Sequence, residues 1–283
     1  MTPLVAAAVL TAAVTHASWN AIAHHIRDQL LSFTLIAGGG ALIGTVLAFF
    51  APLPAAGAWP YLAASAVLHV GYYVLLMRSF TLGDFGQMYP IARGTAPLAV
   101  TLLAAVFVDE IPDGWQLTGV AFACAGLTGL ALWGIRGSGR RPDWAALLAA
   151  GATGLAIAGY TVVDGVGVRA SGTPLGYIAW LMILEGLAIP AYALYRRRSA
   201  LLPQLRPHAA RGLLGAALSV AAYGLVLWAQ TRAALAPIAA LRESSIIVGA
   251  AIGTLFFKER FGGPRVAAAG LMVVGIGLML HTS

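Results

Sequence analysis

Charge is scarce in this 283-residue chain: 10% of residues are Asp, Glu, Lys or Arg, while 60% are apolar and the mean hydropathy is +0.85. A soluble domain carries roughly 25% charged residues, so a water-soluble globule is excluded and an integral membrane protein is expected. Cysteine is almost missing. Cys124 stands alone, which excludes an intrachain disulfide and a cysteine-built metal cluster. No GxxxxGK[ST] phosphate loop occurs, so ATP hydrolysis is not expected. The longest polar connection, Arg196 to Arg211, is too short for a separate soluble domain. The first apolar stretch lacks a basic n-region and runs past Trp19-Asn20 without a cleavage signal, so it reads as a retained helix rather than a signal peptide.

What the chain does contain is long apolar runs. Ten can be placed, near 3–24, 31–51, 59–80, 87–108, 114–135, 143–167, 174–195, 209–231, 237–257 and 264–281, each long enough to cross a hydrocarbon core of about 30 Å. The expected fold class is all-α, a polytopic membrane protein of ten transmembrane helices. A net charge of +7 does not point to nucleic acid, because the basic residues sit in short loops. Arg27, Arg78, Arg136, Arg140, Arg141, Arg196, Arg197, Arg198, Arg206, Arg211, Lys258, Arg260 and Arg265 follow odd-numbered spans, against Arg169 and Arg232 after even-numbered ones. The positive-inside rule makes the first set cytoplasmic and puts both termini outside.

A block in the middle of each half is repeated. Pro90-Ile91-Ala92 leads to Arg93 and, 17 residues later, Glu110; Pro237-Ile238-Ala239 leads to Arg242 and, 17 later, Glu259. Gly119 with Gly126 and Gly270 with Gly277 close the copies. Internal symmetry in an apolar chain marks a secondary transporter. The breaker-rich linker 137–142 separates a first repeat, 1–136, from a second, 143–283. With five spans each, the second repeat runs through the membrane in the opposite sense. Seventeen residues rise roughly 25 Å in a helix, so each arginine is expected near the depth of the other repeat's glutamate: Arg93 with Glu259, Arg242 with Glu110.

These residues resemble the EamA family of the drug/metabolite transporter superfamily. The resemblance covers nearly the whole chain and rests on His16-Ala17-Ser18-Trp19-Asn20, on Tyr89 through Pro97 to Glu110 and Gly119, on Leu241-Arg242-Glu243-Ser244-Ser245 through Lys258-Glu259-Arg260 to Gly270, and on Tyr160 to Gly165. It implies two inverted five-helix repeats, a central cavity, alternating access and, often, export of amino acids, amines or other small metabolites. One departure matters. The related small multidrug exporters carry a proton-binding carboxylate in the first helix, whereas this first span has neither Asp nor Glu.

An ionisable group inside a membrane span is a default site candidate. His16 and Asn20 share a helix face with Trp19 beside them; the imidazole suits a substrate carboxylate, a proton or a bond to a neighbouring helix. His69, Tyr72 and Tyr73 form one face of the third span, and Ser219, Tyr223 and Gln230 lie on the eighth. Such aromatic and hydroxyl groups suit a polar or cationic metabolite, although tyrosine is also common as a packing residue. Tyr160 lies one turn before Asp164. Asp164 is expected near a boundary, in a wetted structural role, and remains a candidate for proton coupling alongside His16 and Glu185. Glu185 falls at mid-depth, the best carboxylate for a substrate ammonium or a proton. Arg93 and Arg242 either hold an anionic group or gate with Glu110 and Glu259; snorkelling is the structural alternative, and Glu243 could neutralise Arg242 locally.

The sequence therefore leads to a secondary transporter, an exporter of a small polar or zwitterionic metabolite, in a bacterial inner membrane, with protons as a candidate coupling ion. No cofactor, metal or nucleic acid is expected. The alternatives are a carrier or flippase of lipid-linked or nucleotide-linked metabolites and, more remotely, an intramembrane enzyme built on Asp84 and Asp164.

Overall fold

The computed structural model describes residues 1–82, 85–137, 144–248 and 263–280. Among these, all regular structure is helical. Lipid demands this, because a segment in hydrocarbon must satisfy its own backbone N–H and C=O groups. The α-helices are α1 (Pro3–His25), α2 (Gln29–Ala48), α3 (Trp59–Leu82), α4 (Phe85–Phe107), α5 (Gly114–Gly137), α6 (Trp144–Ser171), α7 (Pro174–Gly186), α8 (Ala188–Arg197), α9 (Leu201–Leu205), α10 (Ala209–Gln230), α11 (Leu235–Arg242) and α12 (Gly263–Leu280). Among the described residues, Pro3–Ala23, Gln29–Ala48, Ala56–Ser79, Trp144–Ser171 and Pro174–Gln230 are long and apolar enough to cross a membrane.

Local chemistry sets several of the ends. Asp28 accepts from the Leu31 amide at 3.2 Å and caps α2. Thr173 caps α7 with Pro174 at its first position, where a missing N–H costs nothing. Most helices lie close to the expected spans, but two spans are interrupted. The stretch expected as one helix over 174–195 breaks at Leu187 into α7 and α8, because Pro190 has no N–H for the Gly186 carbonyl and its ring crowds that turn. The span expected over 237–257 stops at Arg242 and passes through a turn at Glu243 and Ser244 before becoming helical again at Ser245. Glu243, Ser244, Ile246 and Ile247 donate to carbonyls three residues back, a tightening often found at hinges. From residue 138 the expected linker lies outside the described residues, as do Asp84, Glu259 and the rest of the ninth span.

The chain forms two compact units, and each draws on both halves of the sequence. The first contains Met1–Leu10, Gly71–Val162 and Ala233–Ser283; the second contains Thr11–Val70 and Val163–Arg232. In the first, α5 packs on α4 and α12, and α11 packs on α4 and α5. Val100 and Ala104, Ala158 and Val162, and Leu235 and Ala239 form a core there. In the second, α2 packs on α7, α8 and α10, and Leu62, Val168, Tyr177, Leu181 and Leu227 are buried together.

Lipid tails are as apolar as leucine, so helix association in a membrane depends on close van der Waals fit. At Gly44 a Cβ would stand 2.7 Å from the Ala179 carbonyl oxygen and 2.9 Å from Met182 Cβ. Hence α2 and α7 meet there backbone to backbone. Gly44→Leu is expected to cost about 1–3 kcal/mol through overpacking and to lower the detergent melting temperature. Gly71→Ala, where a Cβ meets nothing within 4 Å, is expected to leave it unchanged or raise it; an equal response of the two would contradict the tight α2–α7 contact.

Candidate functional site

In the second unit, buried polar side chains gather around two carboxylates. Asp164 on α6 is 0% exposed. Its Oδ1 accepts from the Tyr177 hydroxyl of α7 at 2.8 Å, and its Oδ2 accepts from the Tyr223 hydroxyl of α10. The expectation of a wetted aspartate near a boundary is thus corrected. Position along a helix gives depth in the membrane, but neighbouring helices decide whether water reaches that depth.

The residue that allows this closure is Gly167, one turn beyond Asp164. A Cβ there would come within 2.4 Å of the Tyr177 hydroxyl oxygen and 2.6 Å of Tyr61 Cβ. Only a glycine lets the tyrosine lie flat against α6 and reach the carboxylate. Tyr177 itself was not expected as a site residue: it reaches Asp164 across the α6–α7 turn, and no helical periodicity pairs residues in different helices.

The second carboxylate, Glu185, lies just before the break at Leu187 and is 2% exposed. Its Oε2 is 3.3 Å from His69 Nδ1 on α3. That nitrogen also lies 3.0 Å from the Ser65 carbonyl oxygen and 3.1 Å from Ser65 Oγ. A carbonyl oxygen can only accept, so in the contact with Ser65 the hydrogen is on Nδ1. The Tyr223 ring meets the His69 ring edge to face, with centroids 5.3 Å apart. Tyr223 therefore touches both halves of the cluster, its hydroxyl on Asp164 and its ring on His69.

Other candidates take separate places. On α1, Trp19 Nε1 donates to His16 Nδ1 at 3.2 Å and Asn20 Nδ2 donates to the His16 carbonyl at 2.9 Å. His16 Nδ1 is thus an acceptor, and Trp19 and Asn20 are buried. The face predicted from His69, Tyr72 and Tyr73 divides between units. Within the first unit Tyr72 lies against Tyr73 and meets Tyr160 edge to face, at centroid distances of 5.3 and 5.6 Å. Gln230 is buried, and its backbone carbonyl accepts from Arg169 Nε at 2.7 Å.

The first unit holds a buried ion pair from the repeated block. Arg93 Nε on α4 donates to Glu243 Oε2 at 2.7 Å, with side-chain exposures of 2% and 0%. Arg93 Nη2 also reaches Ser245 Oγ at 3.5 Å. The expected partner of Arg93, Glu259, lies outside the described residues. The sequence pairs Glu243 with its neighbour Arg242. It is instead carried toward α4 by the turn after α11. Arg242 is 3% exposed; its Nε, Glu243 Oε1 and Ser244 Oγ have no hydrogen-bond partner among the described residues. Glu110 accepts from the Leu235 amide at 2.6 Å, so its carboxylate caps the N-terminus of α11, where Ala234 has no side chain to do so and the helix dipole favours negative charge.

Among the described residues no group of His, Cys, Asp and Glu could hold a metal ion. The arrangement offers two buried carboxylates with exchangeable hydroxyl and imidazole partners, and a buried arginine pair beside a helix break. These groups can exchange protons or trade internal partners for a substrate ammonium or carboxylate.

Breaking a buried ion pair by removing one partner costs about 3–5 kcal/mol, whereas replacing both with apolar groups is often close to neutral. Arg93→Met and Glu243→Met are each expected to lower the melting temperature strongly, and the double variant is expected to recover most of that loss. Losses that simply add in the double variant would show that the two side chains are not energetically coupled.

Residues 143–281 match the EamA-like transporter family. A crystal structure of a protein with 16% sequence identity aligns with a TM-score of 0.75 over 98% of this chain and 95% of that chain, a likeness of fold. No curated protein matches the sequence significantly.

Proposed function

Because residues 143–281 belong to the EamA-like transporter family, so that the chain is a membrane transporter of the drug/metabolite type, we propose that it exports a small polar or zwitterionic metabolite, such as an amino acid or amine, by alternating access. The supporting observation is the cluster of Asp164, Tyr177, Tyr223, His69 and Glu185 in the second unit. Ionisable groups in membrane helices are costly, rare and tied to substrate and proton paths. A structural role would be served by one satisfied contact. Here two carboxylates are buried together with a histidine from a third helix.

In this reading Glu185 and Asp164 receive a substrate ammonium or a proton, and His69 and Tyr223 exchange partners as they do so. His16, with Trp19 and Asn20, contributes polar contacts and a further proton-accepting nitrogen on the second unit's side of α1. Tyr72, Tyr73 and Tyr160 present aromatic faces for the substrate. Arg93 and Arg242 bind anionic groups or gate, the turn at Glu243 and Ser244 acting as the hinge. Glu110 holds the start of α11, and Glu259 remains a candidate gate partner. The two halves, 1–136 and 143–283, are inverted repeats in this scheme, set in a bacterial inner membrane with both termini outside, as the distribution of Lys and Arg supports.

A counterflow screen in proteoliposomes tests the proposal, using amino acids and amines with and without a pH gradient. Saturable, trans-stimulated uptake is expected for one of these classes. Glu185→Gln and Asp164→Asn are each expected to reduce pH-driven transport at least about tenfold, since losing a buried charged partner costs on the order of 1–3 kcal/mol. Full pH-driven transport in both variants would remove them from coupling, and the absence of counterflow for every amino acid and amine would remove the substrate class.

A further inference from the structure

The two repeated blocks each supply an arginine, but only one supplies an acid beside it. Arg93 is followed by Gly94 and Thr95, whereas Arg242 is followed by Glu243 and Ser244. Glu243 Oε2 accepts from Arg93 Nε at 2.7 Å, so that pair is already made. Arg242 is left with a charge to balance. The helices packed on α11 are α4, α5 and α12, and none of them contains Asp or Glu. Glu110 is engaged at the opposite end of α11, by the Leu235 amide.

Arg242 is 3% exposed and Ser244 7%. Arg242 Nε and Ser244 Oγ can both donate, and neither has a hydrogen-bond partner among the described residues. The Arg93 and Arg242 guanidiniums both act electrostatically on the Glu243 carboxylate, which gathers two positive charges and one negative in the first unit. A buried cation without an ion partner of its own is costly. Snorkelling would leave the guanidinium in water, which the burial rules out. The dipole of α11 favours a cation at its C-terminal end but supplies no acceptor for Nε. The backbone here is a turn between helical stretches, and secondary transporters form substrate sites at such interruptions.

We propose that Arg242, with Ser244 beside it, receives the carboxylate of the transported substrate. A single negative charge makes the cluster neutral, whereas a dianionic phosphate would overshoot. The guanidinium edge and a hydroxyl are directed donors of the kind that hold a carboxylate by charge-assisted bonds. Arg93 is a positioning residue: it engages Glu243 and so leaves Arg242 open to the ligand. The proposal rests on the transporter reading above and narrows its substrate to compounds that bear a carboxylate, amino acids rather than amines.

Thermal stabilisation of the full chain in detergent tests this, with each common amino acid paired with the amine left by its decarboxylation, and with inorganic phosphate as a further probe. At least one amino acid is expected to bind at least about tenfold more tightly than its amine, since a buried hydrogen bond to a charged group contributes about that factor or more. Arg242→Met is expected to abolish the difference within the pair, and Arg242→Lys to keep part of it. Without ligand, Arg242→Met is expected to leave the melting temperature unchanged or raise it, unlike Arg93→Met, because it removes a buried charge that has no internal partner. A strong fall in that variant would reveal a protein acid on Arg242, Glu259 being the first to test, and would overturn the proposal without any ligand. Equal binding of every amino acid and its amine overturns the carboxylate site and leaves the transporter reading standing, whereas binding of neither class removes both. A preference that survives Arg242→Met, or phosphate binding as tightly as the amino acid, also overturns the site.

Discussion

The carboxylate of Asp164, fully buried and held by two tyrosine hydroxyls, constrains more of this molecule than any other group. A charge or a strong acceptor in hydrocarbon surroundings needs partners from the protein. Its partners come from α7 and α10, so the registers of three helices are tied to one side chain. Gly167 clears the approach of Tyr177, and the same Tyr177 is fully buried in the apolar core with Leu62, Val168 and Leu181. Polar satisfaction and close packing thus meet in one residue. Tyr223 extends the link to His69 and, through it, to Glu185 at the break that Pro190 imposes on the following turn.

The first unit solves a related problem with opposite charges. Arg93 and Glu243 neutralise one another inside the protein, at the point where α11 gives way to a turn. A buried pair of this kind adds little net stability compared with an apolar contact, but it is costly to leave half-made. Such a pair favours arrangements in which both partners are satisfied. Its position beside an interrupted helix, in a chain whose residues 143–281 match a transporter family, is what makes it a candidate switch rather than a mere brace. Glu110 has a different chemistry, holding the first turn of α11 by accepting from the Leu235 amide.

Much of this was legible residue by residue, and the failures have physical reasons. Composition alone calls for membrane helices, since so few charged groups cannot solvate a folded surface. Helix ends were readable where a cap or proline marks them, as at Asp28 and Thr173. The break at Leu187 carried the signal of Pro190, but the uninterrupted apolar run masked it. Glu185 was noticed because an acid at mid-depth is exceptional. Asp164 stands out as an ionisable group near the end of its span, but its surroundings are not legible, because counting residues along a helix measures distance from its end and says nothing of what lies alongside. The face shared by His69, Tyr72 and Tyr73 was a real face of α3, yet its residues serve different units.

The family, the helical class and the inventory of intramembrane polar groups follow from the sequence by itself, because they depend on composition and on order along the chain. The partners of those groups do not. That Tyr177 reaches Asp164, that Arg93 meets Glu243, and that Glu110 caps α11 are contacts between residues far apart in order or separated by a turn. They arise from how helices are placed side by side, and only the tertiary structure decides that placement, because lipid rewards any close fit of apolar surfaces and leaves the choice among them to the few polar atoms that must be satisfied.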